Sequence, residues 1–122
     1  MFNKKCDSLN VSLVAGRHEI PQATDGAIFR EIPERLITSP HMLEEAAFGR
    51  LWSIEHSLGV DSPDEEELYC SGLNPAVPVN IYVTGLTVAL IAVLNVCRRE
   101  RVPVTLYHYD RNTGTYFPQS VA

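Results

Sequence analysis

A chain of 122 residues can fill one hydrophobic core but not two, so a single α/β domain over residues 1–122 is expected. With 45% hydrophobic and 20% charged residues the composition is not that of a disordered chain. A net charge of −5, with no basic cluster larger than Arg98-Arg99-Glu100-Arg101, disfavours duplex nucleic acid as a partner.

Cys6, Cys70 and Cys97 are widely separated, form no C-x-x-C pair and are odd in number, which points to a reducing compartment rather than a disulfide framework. Met1 to Lys5 is not followed by an apolar signal-like stretch, so a cytoplasmic location is expected.

From the N-terminus, Asn10 to Gly16 is a short β-favouring run closed by glycine. The following segment, Gly16-Arg17-His18-Glu19 through Gly26, is crowded with turn formers and reactive side chains. Ala27 to Ile32 resumes a β-like pattern that Pro33 stops, since proline has no amide to give a ladder. Ser39-Pro40 opens a helix: serine caps free amides, proline is preset for a first turn, and Glu44-Glu45 complement the positive helix end.

Within that helix Leu43, Ala47, Leu51, Ile54 and Leu58 recur on one face, which Phe48 and Trp52 widen. Glu44, Arg50 and Glu55 are expected to meet water on the opposite face. Gly59 is expected to end the helix in a left-handed conformation. The acidic run Asp61 to Glu67 reads as a solvated loop without calcium-loop spacing, and Leu68-Tyr69-Cys70 as a brief strand.

Val79 to Tyr109 is the organising unit. Val79, Ile81 and Val83 alternate with Asn80, Tyr82 and Thr84; Val104, Leu106 and His108 alternate with Thr105, Tyr107 and Tyr109. Two parallel strands joined by a helix from Leu86 to about Arg101 follow, with a right-handed crossover. That helix is apolar nearly all round, more than one sheet face requires, so its surplus surface must meet the first helix, another sheet or a second copy. Its longest apolar run, Leu86 to Cys97, is shorter than the roughly 20 residues a membrane span needs, so no membrane is expected. Asp110 to Gly114 reads as a hairpin loop with glycine at a positive-φ position, returning through Thr115-Tyr116-Phe117 to Pro118. The expected fold is therefore a single-domain mixed sheet with a central right-handed βαβ unit, Rossmann-like, with two main helices and a C-terminal hairpin.

Ligands of such sheets bind beyond the C-terminal ends of parallel strands, where connections depart in opposite directions. Three segments are expected to converge there. In Thr84-Gly85-Leu86-Thr87 the glycine admits a close anion, the Leu86 and Thr87 amides begin the helix, and the threonines add hydroxyls. This Thr-Gly-x-Thr turn resembles the strand-to-helix turns of nucleotide-binding Rossmann-like domains, including the CARF domains that bind cyclic oligoadenylates. The likeness covers four residues, without G-x-G-x-x-G or a Walker lysine, and implies a phosphate-facing turn; a tight turn with a capping threonine accounts for the same residues.

In the second segment Arg17 suits a phosphoryl or carboxylate charge and His18 a proton transfer, and with Glu19 the trio suits acid–base chemistry, although on extended chain Arg17 and Glu19 share a side that His18 does not. A structural arginine–glutamate pair is the competing account. The third segment supplies His108 and Asp110 as ligand-binding candidates; a core histidine and a hairpin aspartate are their structural alternatives. His18, Glu19, Asp25, His108 and Asp110 have no metal-ligand spacing, so no metal is assigned, and no cofactor is named.

The expected function is binding of a nucleotide-like or other anionic small ligand, with phosphohydrolase- or nuclease-type chemistry at Arg17, His18 and Glu19 if the protein is an enzyme. The alternative is a non-enzymatic interaction or structural protein, a homo-oligomer joined through the apolar helix and the Tyr82, Tyr107, Tyr109 face.

Overall fold

The computed structural model describes residues 7–16, 19–60 and 72–121. Their elements are β1 (Leu9–Val14), β2 (Ala27–Phe29), α1 (Glu34–Ile37), α2 (Pro40–Ser57), β3 (Val79–Tyr82), α3 (Thr87–Arg99), β4 (Val104–Asp110) and β5 (Thr115–Val121). They form a five-stranded mixed sheet in the order β2-β1-β3-β4-β5, parallel except for the antiparallel β4–β5 pair. The Leu68–Cys70 strand and the Asp61–Glu67 loop expected from the sequence lie outside the described residues.

The register explains which side chains make the core. Leu9 aligns with Val79 and then Val104, and Val11 with Ile81 and then Leu106, so the aliphatic residues of three strands form continuous rows on one face. All six are buried. The helices α2 and α3 pack against each other over this face. The α2 stripe is the expected one, with Leu43, Ala47, Leu51 and Ile54 buried, and α3 contributes Ala89, Ala92, Val93, Val96 and Cys97. Burying a leucine or valine side chain is worth about 1.5–3 kcal/mol, so this layer carries most of the folding energy.

Element ends depart from sequence expectation for identifiable reasons. Ser39 does precede α2 with Pro40 at its first position, but the serine hydroxyl makes no capping bond; the Ser39 carbonyl instead accepts the Leu43 amide at 3.1 Å. Strand β2 stops at Phe29 rather than Ile32, and the chain turns into the one-turn helix α1 after Pro33. Strand β5 runs through Pro118 to Val121 instead of stopping there. It pairs on one side only, with Pro118 opposite Tyr107, and a strand at a sheet edge tolerates a missing N–H that an interior strand does not. Gly59 and Gly114 take the left-handed conformations expected of them, with φ of 77° and 69°.

Glu55 overturns the expectation that it meets water: it is 1% exposed. The chain returning from α2 to β3 passes over it, and both carboxylate oxygens accept the Asn74 amide, at 3.1 and 3.2 Å. Glu100, at the end of α3, accepts the neighbouring Leu73 amide at 3.0 Å. Two carboxylates thus serve the backbone donors of buried Leu73 and half-buried Asn74; a hydrogen bond to a charged group is worth about 1.5–3 kcal/mol. Burial pushes the Glu55 carboxyl up to about 7, opposed by the Asn74 hydrogen bond and reinforced by the charge of Glu100. Burial, with Glu55 and Glu100 nearby, pushes the Cys97 thiol up to about 12, so it stays protonated and unreactive at neutral pH. Arg50 is likewise engaged, donating from Nε to the Ala27 carbonyl at 2.9 Å and tying α2 to β2.

Candidate functional site at the strand C-termini

The connection from β1 leads outward to β2, whereas that from β3 leads the other way to β4. Between the C-terminal ends of β1 and β3 the chain therefore leaves in opposite directions, opening the crevice in which sheets of this kind bind ligands. Thr84 holds the strands together where their ladder stops. Its Oγ1 donates to the Val14 carbonyl at 2.9 Å and accepts the Val14 amide at 3.2 Å, replacing a backbone partner by a side chain. The hydroxyl expected to serve a ligand thus spends its hydrogen on the fold.

Gly85 follows with φ of 85°, a conformation that strains any residue with a Cβ. A Cβ there would meet Val14 Cγ2 at 3.5 Å, an ordinary contact, so glycine is required by the turn rather than by lack of space. Helix α3 then begins at Thr87 with no side-chain cap, leaving its first amides open beside exposed Leu86, Thr87 and Val88.

A cavity of about 450 Å³ lies at this end of the sheet. One wall is the segment Glu19 to Gln22, which follows β1; a second is Val83 and Thr84; across from them stand Tyr109 and Tyr116, with Gly114 at the hairpin. Glu19 and Thr84, from two segments expected to converge, thus face one space. Arg17 and His18 lie outside the described residues. Gly85, Leu86 and Thr87 adjoin Thr84 along the chain but are not part of the cavity wall.

His108 and Asp110 are occupied by the hairpin. His108 Nε2 lies 2.8 Å from Gln119 Oε1 and its ring packs on Phe117, on the aliphatic side of the sheet. Asp110 Oδ1 accepts the Asn112 amide at 2.9 Å and its carbonyl accepts that of Gly114 at 2.8 Å. Asp25 serves a turn: its carboxylate accepts the Asn10 amide at 2.8 Å while its own amide returns to the Asn10 carbonyl at 2.9 Å. Among the described residues no three His, Cys, Asp or Glu side chains converge on a metal-sized space.

Only Glu19 and Thr84 of the wall were expected as site residues; Ile20, Pro21, Gln22, Val83, Gly114 and Tyr116 were not, and Tyr109 was expected only on the alternative interaction face. Alternation alone put Tyr82, Tyr107 and Tyr109 on one face, but Tyr116 joins them only through the hairpin register, which sets it opposite Tyr109. The rings form a chain: Tyr82 stacks on Tyr107 at 4.8 Å and meets Tyr116 edge-on at 5.1 Å, and Tyr116 meets Tyr109 at 5.3 Å. Burial, then neighbouring phenols, raise the pKa of Tyr82 and Tyr116, so both remain neutral hydrogen-bond donors.

Among the described residues Glu19 is the only charged side chain in the wall. The cavity itself offers phenol rings and hydroxyls, an amide and a carboxylate, while the electropositive feature is the open start of α3 just past Thr84. This arrangement can stack a planar group and hydrogen-bond its edge. No family model, curated protein or solved structure matches the chain.

Proposed function

We propose that the protein binds a small nucleotide-like ligand at this crevice, in the manner of a Rossmann-like sheet. Its ring lies against Tyr109 and Tyr116, its polar edge and hydroxyls meet Glu19 and Gln22, and its phosphate reaches past Thr84 to the uncapped amides of α3. One observation carries the reading: the Glu19–Gln22 segment, the end of β3 and the tyrosines of β4 and β5 enclose one cavity of about 450 Å³ at the point where the strand connections diverge. A volume of this size suits a mononucleotide rather than a polymer.

Thermal-shift and calorimetric titrations with adenosine, AMP and their pyrimidine counterparts test it. AMP is expected to bind more tightly than adenosine, because only the phosphate uses the helix start. Tyr109→Ala is expected to weaken AMP about tenfold, since stacking on an aromatic side chain is worth about 1–3 kcal/mol per base. Absence of binding at millimolar concentrations of the whole panel would exclude the reading. The hydrolytic extension rests on Arg17 and His18: Arg17→Ala and His18→Ala should abolish any phosphate release while leaving AMP binding detectable, and variants that turn over like the parent would remove it.

A second reading has its own observation. Leu86, just before α3, and Val88 and Ile91 on it are 41%, 41% and 52% exposed, the surplus surface that neither α2 nor the sheet covers. A second copy packing over them would make the protein a homo-oligomer joined through α3. Light scattering separates the two readings, with Ile91→Glu expected to yield monomers only if that face is an interface.

A further inference from the structure

Helix α3 shares the core with β3 and β4, whereas the edge strand β5 buries none of its side chains. Phe117 and Val121 stand on the helical side at 49% and 36% exposure, in register with His108 and Val104. Between α3 and this strand runs a groove of about 270 Å³, floored by Cys97, Val102 and Val104 and flanked by Leu94 and Val121.

Arg98 and Arg101 stand at the rim of the same groove. Of the arginines ending α3, Arg99 is committed to acidic partners, with Glu44 at 3.7 Å and Glu100 at 3.6 Å. Neither Arg98 nor Arg101 has an acidic partner among the described residues. Arg101 also occupies the left-handed position after the helix, with φ of 59°, where the Val102 amide closes on the Cys97 carbonyl at 2.8 Å. Glycine is the strain-free residue at that position, so an arginine there works against local backbone preference.

The end of a helix carries roughly half a negative charge, which one arginine more than offsets; the second leaves the rim attractive to an anion. A guanidinium fork matches a carboxylate in shape and can bind both oxygens, while the floor beneath it is aliphatic. We propose that this groove binds an aliphatic monocarboxylate, its charged head between Arg98 and Arg101 and its chain laid over Val102, Val104 and Val121. The site is at the opposite end of β4 from the tyrosine-lined cavity and does not depend on what that cavity binds.

Titration with octanoate, followed by amide resonances in two-dimensional NMR and by calorimetry, tests the assignment, with octylamine and acetate as controls. Octanoate is expected to shift the Val102, Val104 and Val121 amides; acetate, lacking the chain, and octylamine, carrying the wrong charge, are expected to bind at least tenfold more weakly. Arg98→Gln is expected to weaken octanoate about tenfold. Arg101→Gly is the decisive variant, because relief of the left-handed strain should raise the melting temperature while octanoate binding falls. Equal binding of octanoate and octylamine would reduce the groove to an apolar surface without charge selection. An Arg101→Gly protein that binds octanoate like the parent would overturn the role of the rim, and unshifted groove amides would overturn the site.

Discussion

The two faces of the sheet are built from the same strands, one residue apart, yet do opposite things. Leu9, Val11, Leu13, Val79 and Ile81 point to the helices and are sealed from water, whereas Asn10, Asn80, Thr105 and Tyr107 point the other way and are only half buried. On the first face contacts are aliphatic and interchangeable in kind. On the second they are specific: Asn80 Nδ2 donates to Asn10 Oδ1 at 3.0 Å across β1 and β3, and the tyrosine rings meet at defined angles. The pleat therefore divides labour within each strand, with folding energy on the helical side and directional polar and aromatic contacts on the tyrosine side. The cavity opens where that second face reaches the strand C-termini.

The largest effect that sharpens this contrast should come from the helical face. Leu13→Ala, at a fully buried position, is expected to cost about 3 kcal/mol in urea unfolding, while Ser120→Ala on the other face changes stability by less than about 0.5 kcal/mol. Comparable losses at the two positions would break the division.

The next largest concerns the ionisable group within the helical layer. Burial holds the Glu55 carboxyl up at about 7 in the folded protein against an ordinary 4.5, so the folded state holds a proton more tightly than the unfolded chain. Its stabilising contribution is complete below about pH 4.5 and is lost as pH rises through 7. Unfolding free energy should therefore fall by on the order of 2–3 kcal/mol between pH 5 and pH 8, from a shift of this size at about 1.4 kcal/mol per pH unit. Denaturant titrations across that range should show the slope in the parent and a flatter profile in Glu55→Gln. An unchanged slope in the variant would assign the dependence to other groups.

The smallest of the three lies on the boundary between the faces. Thr84→Val keeps the shape of the side chain but removes both bonds to Val14, and should cost about 1–2 kcal/mol. Hydrogen exchange at the Val14 amide should accelerate in the variant more than at Val11. If it does not, the hydroxyl is dispensable to strand pairing, and the idea that Thr84 serves the fold before the ligand fails.

Much of this division was legible in the sequence because it rests on local periodicity. Alternation in Val79 to Tyr82 and Val104 to Tyr109 marked two-faced strands, and the three-and-four spacing in Leu43 to Leu58 marked the buried side of α2. The same spacing misplaced Glu55, since a helical wheel describes a helix and its nearest neighbour but not the return of a distant segment over its outer side. His108 and Asp110 were visible as candidates from their position at a strand end; that Gln119 and Asn112 engage them depends on hairpin closure. Tyr116 carried no signal at all until its register with Tyr109 was formed.

The chain alone determined α2, the parallel βαβ centre and the aliphatic face, because each follows from backbone preferences and side-chain spacing over short stretches, whereas the one-turn helix α1 was not foreseen. Only the tertiary structure decided that Glu19 and Thr84 share a cavity, that Thr84 gives its hydroxyl to Val14, that Glu55 is sealed under Asn74 and that β5 stays outside the core. Each of these joins residues separated by 19 or more positions or depends on a strand's place in the sheet. Such distances are settled by how whole elements pack, and no local pattern records them.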